Sequence, residues 1–120
     1  MSEDNLGIII QCAHVIILPC KRGTFVANRN DHIMTPSLAM YGEFAEDELE
    51  VLDKYVKPGM TVIDVGANIG VHSVALSDMV GRNGLVLSFE PVLCTYNLLC
   101  ANLAFSGNQN VIAHRAMVGD

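Results

Sequence analysis

Two acidic residues and a glycine-containing segment between them have the types and spacing of a cofactor site. Asp64 lies two residues before Gly66, and the chain continues as Ala67-Asn68-Ile69-Gly70, which gives the pattern Asp-x-Gly-x-Asn-x-Gly. Glycine readily adopts a positive φ, and asparagine tolerates that region better than most residues. Glu90 follows about two dozen residues after Gly66, close to the interval at which an acid reaches a ribose diol. The pattern predicts a site for a nucleotide-like cofactor.

The charge of the segment distinguishes between two classes of cofactor. A dinucleotide site usually has three glycines spaced G-x-G-x-x-G, whereas Asn68 and Val71 occupy the second and third of these positions here. The carboxylate of Asp64 is unfavourable beside a pyrophosphate, but it suits the α-amino group and sulfonium charge of S-adenosylmethionine. The residues therefore favour S-adenosylmethionine, with an NAD-type oxidoreductase domain as the alternative.

The predicted elements place both acids at one edge of a parallel sheet. Strands are predicted at residues 60–65 and 85–89 and from Val111, and helices at residues 43–56, 69–80 and after Pro91. The first strand is apolar enough to be covered on both faces. Because strands and helices alternate with short connections, the sheet is expected to be parallel with right-handed crossovers. Asp64 and Glu90 then end neighbouring strands, where ligands of open α/β sheets bind.

The first 40 residues are predicted to form a separate extension. The Ile- and Val-rich run at residues 6–18 reads as one long strand or two short ones, ended by Pro19. Residues 24–27 would return as the second strand of a hairpin, and residues 28–36 are polar and turn-rich. The expected domains are a strand or hairpin extension at 1–40 and a partial S-adenosylmethionine-binding Rossmann-like domain at 41–120.

Composition limits the class of protein. Hydrophobic residues make up 51% of the chain, charged residues 17%, and the net charge is −6, which favours a packed globular protein without a basic nucleic-acid surface. The apolar run at residues 6–18 follows acidic residues and is too short to span a bilayer. The four cysteines, Cys12, Cys20, Cys94 and Cys100, form no C-x-x-C pair or zinc pattern. We expect buried or partly buried free thiols, no metal, and a cytoplasmic protein that binds neither nucleic acid nor membrane.

The motifs DVGANIG, at residues 64–70, and FEP, at residues 89–91, resemble those of the FkbM family of S-adenosylmethionine-dependent methyltransferases. The resemblance covers roughly residues 31–120. It implies a Rossmann-like class I methyltransferase fold, with O-methyl transfer to hydroxyl groups of natural products or sugars. By position, Gly66, Ala67 and Asn68 would line the methionine part of the cofactor. The other implied roles are loop support by Asp64, ribose binding by Glu90, and a contribution from Ser73 on the following helix. For His72 a helix-surface or packing role is favoured over one that faces the cofactor.

Members of that family continue well beyond the length of this chain, through further strands that carry substrate-side groups. We therefore expect an α/β fold truncated after the third core strand, preceded by the hairpin-like segment, and we assign no catalytic base. The open sheet edge would favour a homo-oligomer. A non-catalytic, self-associating module that has kept the fold is the third hypothesis.

Overall fold

The computed structural model describes residues 10–11 and 13–119. Their contacts divide the chain into two compact units, Met1–Phe44 and Ala45–Asp120. The division at residues 40 and 41 expected from the sequence stays a prediction. Positions 6–9 of the first predicted strand, and Cys12, lie outside the described residues. None of the described helices is long and apolar enough to cross a membrane.

An antiparallel sheet and one helix make up the described part of the N-terminal unit. The elements are β1 (Ile10–Gln11), β2 (Val15–Cys20), β3 (Gly23–Asn28) and α1 (Met34–Tyr41). β2 lies between the other two strands, and its pairing with β3 forms the predicted hairpin. Leu18 lies opposite Phe25 in this register, and both side chains are almost completely buried together with Leu38 of the helix. These apolar side chains form the centre of the unit.

Two details of this unit differ from the prediction. Pro19 lies within β2 instead of ending the strand. The segment predicted as polar turns contains the start of α1, with Pro36 as its third residue. Proline is tolerated in the first turn of a helix because the N–H groups there have no intrahelical partner. The polar residues before it also support the helix start, since Asp31 Oδ2 accepts the Thr35 N–H at 2.8 Å.

The three cysteines in the described residues are free thiols. Cys20 and Cys100 are partly buried, as predicted, whereas Cys94 is exposed. Burial raises the pKa of the Cys20 thiol to about 11, so this group stays neutral at physiological pH.

The C-terminal unit has the predicted α/β order. Its elements are α2 (Glu46–Tyr55), β4 (Thr61–Val65), α3 (Val71–Val80), β5 (Leu85–Phe89), α4 (Leu93–Ser106) and β6 (Val111–His114). All pairings are parallel, and the strand order is β4-β5-β6. α2 and α3 begin later than predicted because Ala45 and Gly70, which precede them, have left-handed backbone conformations. The fold prediction is confirmed: the unit is a Rossmann-like parallel sheet with helices.

One face of this sheet carries the core. Val62, Val86 and Val111 lie side by side in the register of the three strands. Val86 is fully buried with Leu76 and Val80 of α3, and residues of α2 pack at the edge of the same cluster. This packing holds the helices over the face to which Asp64 and Ser88 also belong, two residues further along their strands.

The opposite face of the sheet is not covered by the described residues of this unit, which corrects the expectation that β4 is buried on both sides. Ile63 is 60% exposed and Val65 59% exposed, and Ile112 in β6 is 49% exposed. The core cluster to which α2 and α3 contribute contains Val86 and packs against Val62 and Val111, which belong to the other face. β4 is an edge strand among the described residues. Self-association through this edge stays a prediction.

Candidate functional site

The glycine turn at residues 66–70 is attached to the end of the neighbouring strand. The N–H groups of Gly66 and Ala67 both donate to the carbonyl oxygen of Phe89, the last residue of β5, each at 2.9 Å. The Gly70 N–H donates to Ala67 O at 3.0 Å and closes the turn. The turn therefore continues the pairing of β4 with β5 instead of projecting as a loose loop.

Glu90 binds the same turn through its side chain. Its Oε1 accepts the Asn68 N–H at 2.9 Å, and its Oε2 accepts the Val92 N–H at 3.0 Å. The residue is 6% exposed. Each carboxylate oxygen can accept a second hydrogen bond, so these contacts leave acceptor capacity on both oxygens. Glu90 and the glycine turn thus lie at the same end of the sheet, as the predicted cofactor site requires.

Asp64 is held from the helix side of the sheet. Its Oδ2 accepts the Ser73 hydroxyl at 2.6 Å, and Ser73 Oγ lies 2.6 Å from Ser88 Oγ. Ser73 in α3 and Ser88 in β5 are both fully buried. The structure therefore brings Asp64, Ser73 and Glu90 to one end of the unit together with the glycine turn, and it adds Ser88.

The backbone of the turn is supported from α4. Asn68 has φ of 55° and Gly70 φ of 97°, so the turn uses the left-handed region at both positions. A Cβ on Gly70 would lie 2.8 Å from Leu99 Cδ1, and Leu99 is fully buried. Buried Asn102, one turn further along α4, donates to Ile69 O at 2.7 Å.

Sequence reasoning did not assign a role in the site to Ser88, Leu99 or Asn102. A signal existed for two of them: Ser88 is polar within an apolar strand, and Asn102 falls three residues after Leu99, on the same side of the helix. A buried polar group needs a partner, which could have directed attention to both.

His72 is directed to α2. Its Nε2 lies 3.4 Å from Glu48 Oε2. This contact agrees with the helix-surface or packing role that the sequence analysis favours for His72.

A second polar region lies at the opposite end of the strands. It is an open depression of about 550 Å³ next to the C-terminal ends of α3 and α4. Its lining residues are Ser77, Asp78, Gly81, Arg82, Gly107, Asn108, Gln109 and Asn110. Asn110 Nδ2 donates to Ser77 O at 2.9 Å and to Gly81 O at 2.8 Å. None of the predicted site residues contributes to this depression.

The described residues contain no group of three or more His, Cys, Asp or Glu side chains that could hold a metal ion. The candidate site contains the two carboxylates of Asp64 and Glu90. A pair of carboxylates on one rim, with the backbone of the turn already bonded to protein acceptors, can attract a cation and accept hydrogen bonds from hydroxyl groups.

Comparison with known proteins adds a family to this geometry. The sequence model of the protein-L-isoaspartate(D-aspartate) O-methyltransferase family matches residues 33–120. The motifs at residues 64–70 and 89–91 resemble the FkbM family, but the family model that matches is that of the protein-L-isoaspartate(D-aspartate) O-methyltransferases.

Two curated relatives and one solved structure are similar to parts of this chain. Protein-L-isoaspartate O-methyltransferase 1 of Archaeoglobus fulgidus is 32% identical over 71 residues, covering 59% of this chain and 31% of the relative. Ribosomal RNA large subunit methyltransferase E of Hahella chejuensis is 46% identical over 43 residues, covering 36% and 21%. The structure of M. jannaschii TYW2 in complex with AdoMet has a TM-score of 0.68 at 19% identity, covering 90% of this chain and 46% of that one. The chain thus spans about a third or less of the length of these curated relatives.

Proposed function

Because this chain belongs to the protein-L-isoaspartate(D-aspartate) O-methyltransferase family, we propose that it is the cofactor-binding part of an S-adenosylmethionine-dependent O-methyltransferase. The observation that carries the proposal is the hydrogen bonding of the glycine turn. The N–H groups of Gly66, Ala67, Asn68 and Gly70 are all bonded to protein oxygens. A pyrophosphate needs such N–H groups as donors, whereas a cationic ligand does not.

The two carboxylates fit the charge of the cofactor. Asp64 is the acceptor for the α-amino group, and Glu90 is the acceptor for the ribose hydroxyls through the capacity left on its oxygens. Gly66, Ala67 and Asn68 line the methionine part, and Gly70 lets the backbone turn into α3 without a side chain. Ser73 acts indirectly, through the hydrogen bond that it donates to Asp64 from α3. S-adenosylmethionine, when bound, supplies the methyl group from its sulfonium sulfur.

The contribution of this chain to methyl transfer is positioning. Transfer of a methyl group requires in-line alignment of the nucleophile with the carbon and its leaving sulfur. A turn fixed by Phe89 O, Glu90 and Asn102 provides a rigid surface for that alignment. Among the described residues we identify no side chain as the general base.

The molecule that receives the methyl group is a separate part of the proposal. O-methyl transfer includes both the isoaspartate or D-aspartate residue named in the family description and the small-molecule hydroxyl expected from the motifs. Because one relative is a ribosomal RNA methyltransferase, we withdraw the expectation that nucleic acid is excluded as a partner. An assay that follows a labelled methyl group onto an isoaspartyl peptide, a ribosomal RNA and a small hydroxyl compound would assign the acceptor of the full enzyme. The cytoplasmic location stays a prediction.

The cofactor can be tested on the chain itself. S-adenosylhomocysteine at a hundredfold excess over its Kd should stabilise the folded state by about 2.7 kcal/mol, and thermal unfolding would show a clear rise in Tm. NADH should leave Tm unchanged. A rise with NADH alone would favour the NAD-type oxidoreductase domain. No rise with either ligand, together with a stable oligomer in sedimentation, would favour the non-catalytic module.

A further inference from the structure

Three hydrogen-bonded side chains, Ser88, Ser73 and Asp64, connect β5 through α3 to the end of β4. We propose that Ser73 and Ser88 are positioning residues, which orient the Asp64 carboxylate toward the α-amino group of the cofactor. This inference rests on the proposed function, since it assigns a role to residues behind the same site.

The direction of each hydrogen bond in the chain follows from the chemistry of its end. A carboxylate only accepts hydrogen bonds, and a hydroxyl has a single proton to donate. Ser73 lies 2.6 Å from Asp64 Oδ2, so its proton points to Asp64. Ser88 Oγ, at 2.6 Å from Ser73 Oγ, must then be the donor to Ser73. The two bonds polarise each other in the same direction, toward the carboxylate.

This arrangement engages one oxygen of Asp64 and leaves the other available. Within the described residues, Oδ2 is held by Ser73, and no hydrogen bond to Oδ1 is present. Asp64 is partly exposed, whereas Ser73 and Ser88 are fully buried and cannot contact a ligand themselves. An ammonium group is the partner that a carboxylate oxygen at the rim of a cofactor crevice would bind most strongly. The serines therefore act only through Asp64.

Packing alone does not account for the two hydroxyls. Ser77 lies one turn after Ser73 on the same helix and is equally buried, but its hydroxyl donates to Val74 O at 2.7 Å. That local bond is the usual way in which a helical serine satisfies itself. Ser73 instead donates across the helix–sheet contact to a charged group, and Ser88 donates a hydrogen bond to Ser73. An alanine pair would avoid the desolvation of two hydroxyls, so a role for the hydroxyls themselves is indicated.

The test compares two ligands in calorimetric titrations of the 120-residue chain: S-adenosylhomocysteine and its analogue that lacks only the α-amino group. The readout is the ratio of their dissociation constants, which a general loss of fold would not change. Ser73→Ala should reduce the preference for the amino ligand about tenfold, as expected for a lost hydrogen bond to a charged group. Ser88→Ala should reduce it less, because it acts one bond further away. Ser77→Ala is the matched control and should leave the ratio unchanged.

A double-mutant cycle tests whether the effect passes through Asp64. On an Asp64→Asn background, Ser73→Ala should change the ratio no further. If Ser73→Ala does not fold, Ser73→Cys carries the same comparison, since a thiol has a similar volume and is a weak donor. Equal weakening of both ligands, or an undiminished effect in the Asp64→Asn background, would overturn the positioning role while leaving the proposed function intact. A wild-type chain that binds neither ligand would overturn the proposed function and this inference with it.

Discussion

The two ends of the parallel sheet both carry dense polar bonding, but the bonding is of opposite kinds. At the carboxyl end, the acceptors are the carboxylates of Asp64 and Glu90, and they hold a serine hydroxyl and two backbone N–H groups. At the amino end, the donors are the amides of Asn108 and Asn110. They donate to Ser77, Asp78 and Gly81, where α3 ends.

The difference supports the carboxyl end as the candidate ligand site. The carbonyl oxygens of Ser77 and Gly81 accept the N–H groups of Gly81 and Gly84. The Asn110 amide donates to both oxygens as well, so its bonds cap the end of α3. Asn110 Oδ1 is buried without a partner among the described residues, but this neutral amide oxygen has no charge with which to attract a cation. At the carboxyl end the carboxylates keep acceptor capacity after their structural bonds are made. Net charge and remaining hydrogen-bond capacity, more than the number of polar contacts or the size of a depression, distinguish a site from a cap.

The largest expected effect comes from removing the key acid at one end and its counterpart at the other. Glu90→Ala breaks the bonds to Asn68 and Val92, and we expect the affinity for S-adenosylhomocysteine to fall about a hundredfold. Asn110→Ala should lower the free energy of unfolding by about 1 kcal/mol and leave the affinity unchanged. Calorimetry and urea unfolding measure the two quantities. Equal losses of affinity would show that the two ends do not differ in function.

Glu90 has two roles in this scheme, and one ligand separates them. An S-adenosylhomocysteine analogue that lacks a ribose hydroxyl should bind the wild-type chain more weakly than the parent ligand. Glu90→Ala should bind both with the same affinity. If Glu90 only supports the turn, Glu90→Ala would instead lower the affinity for both ligands by the same factor and preserve the difference between them.

A second pair of variants compares the turns at the two ends. Gly70 and Gly107 both have positive φ, at 97° and 73°, so alanine is strained by about 1 kcal/mol at either position. Only at Gly70 would the new Cβ meet a neighbour, the buried Leu99 Cδ1, at 2.8 Å. We expect Gly70→Ala to lower the free energy of unfolding by about 2 kcal/mol and Gly107→Ala by about 1. Urea unfolding of both variants checks this, and equal losses would remove the steric argument.

The carboxyl end was predictable because it depends on local patterns. Asp64 and Glu90 end apolar runs of strand length, and parallel strands bring their ends to one edge. The sequence marks Asn102 as a polar residue on the buried side of α4 but does not identify its partner, since the bond to Ile69 O depends on how that helix is rotated against the turn. The family was also beyond the motifs. DVGANIG and FEP lie entirely within the candidate cofactor site, so they carry no information about the acceptor side.

The exposed face of β4 marks another limit. Ile63 and Val65 are apolar, and a run of such residues indicates burial on both faces. The residue pattern of one strand does not show whether a second layer packs on that face, because this depends on other parts of the structure. The start of α1 was missed for a related reason. Its first turn contains Thr35 and Pro36, which also occur in loops, and the helix depends on the bond from Thr35 N–H to Asp31.

The smallest expected effect tests whether support from behind the turn reaches the ligand. Asn102→Ala removes the bond to Ile69 O, and Asn108→Ala removes the bonds to Ser77 Oγ and Asp78 Oδ1 at the other end. Each should lower the free energy of unfolding by about 1 kcal/mol. Only Asn102→Ala should also weaken S-adenosylhomocysteine binding, by about threefold, because a looser turn must be ordered when the ligand binds. If the two asparagines affect binding alike, the ligand senses the stability of the whole unit, and the distinction between the two ends is lost at this level.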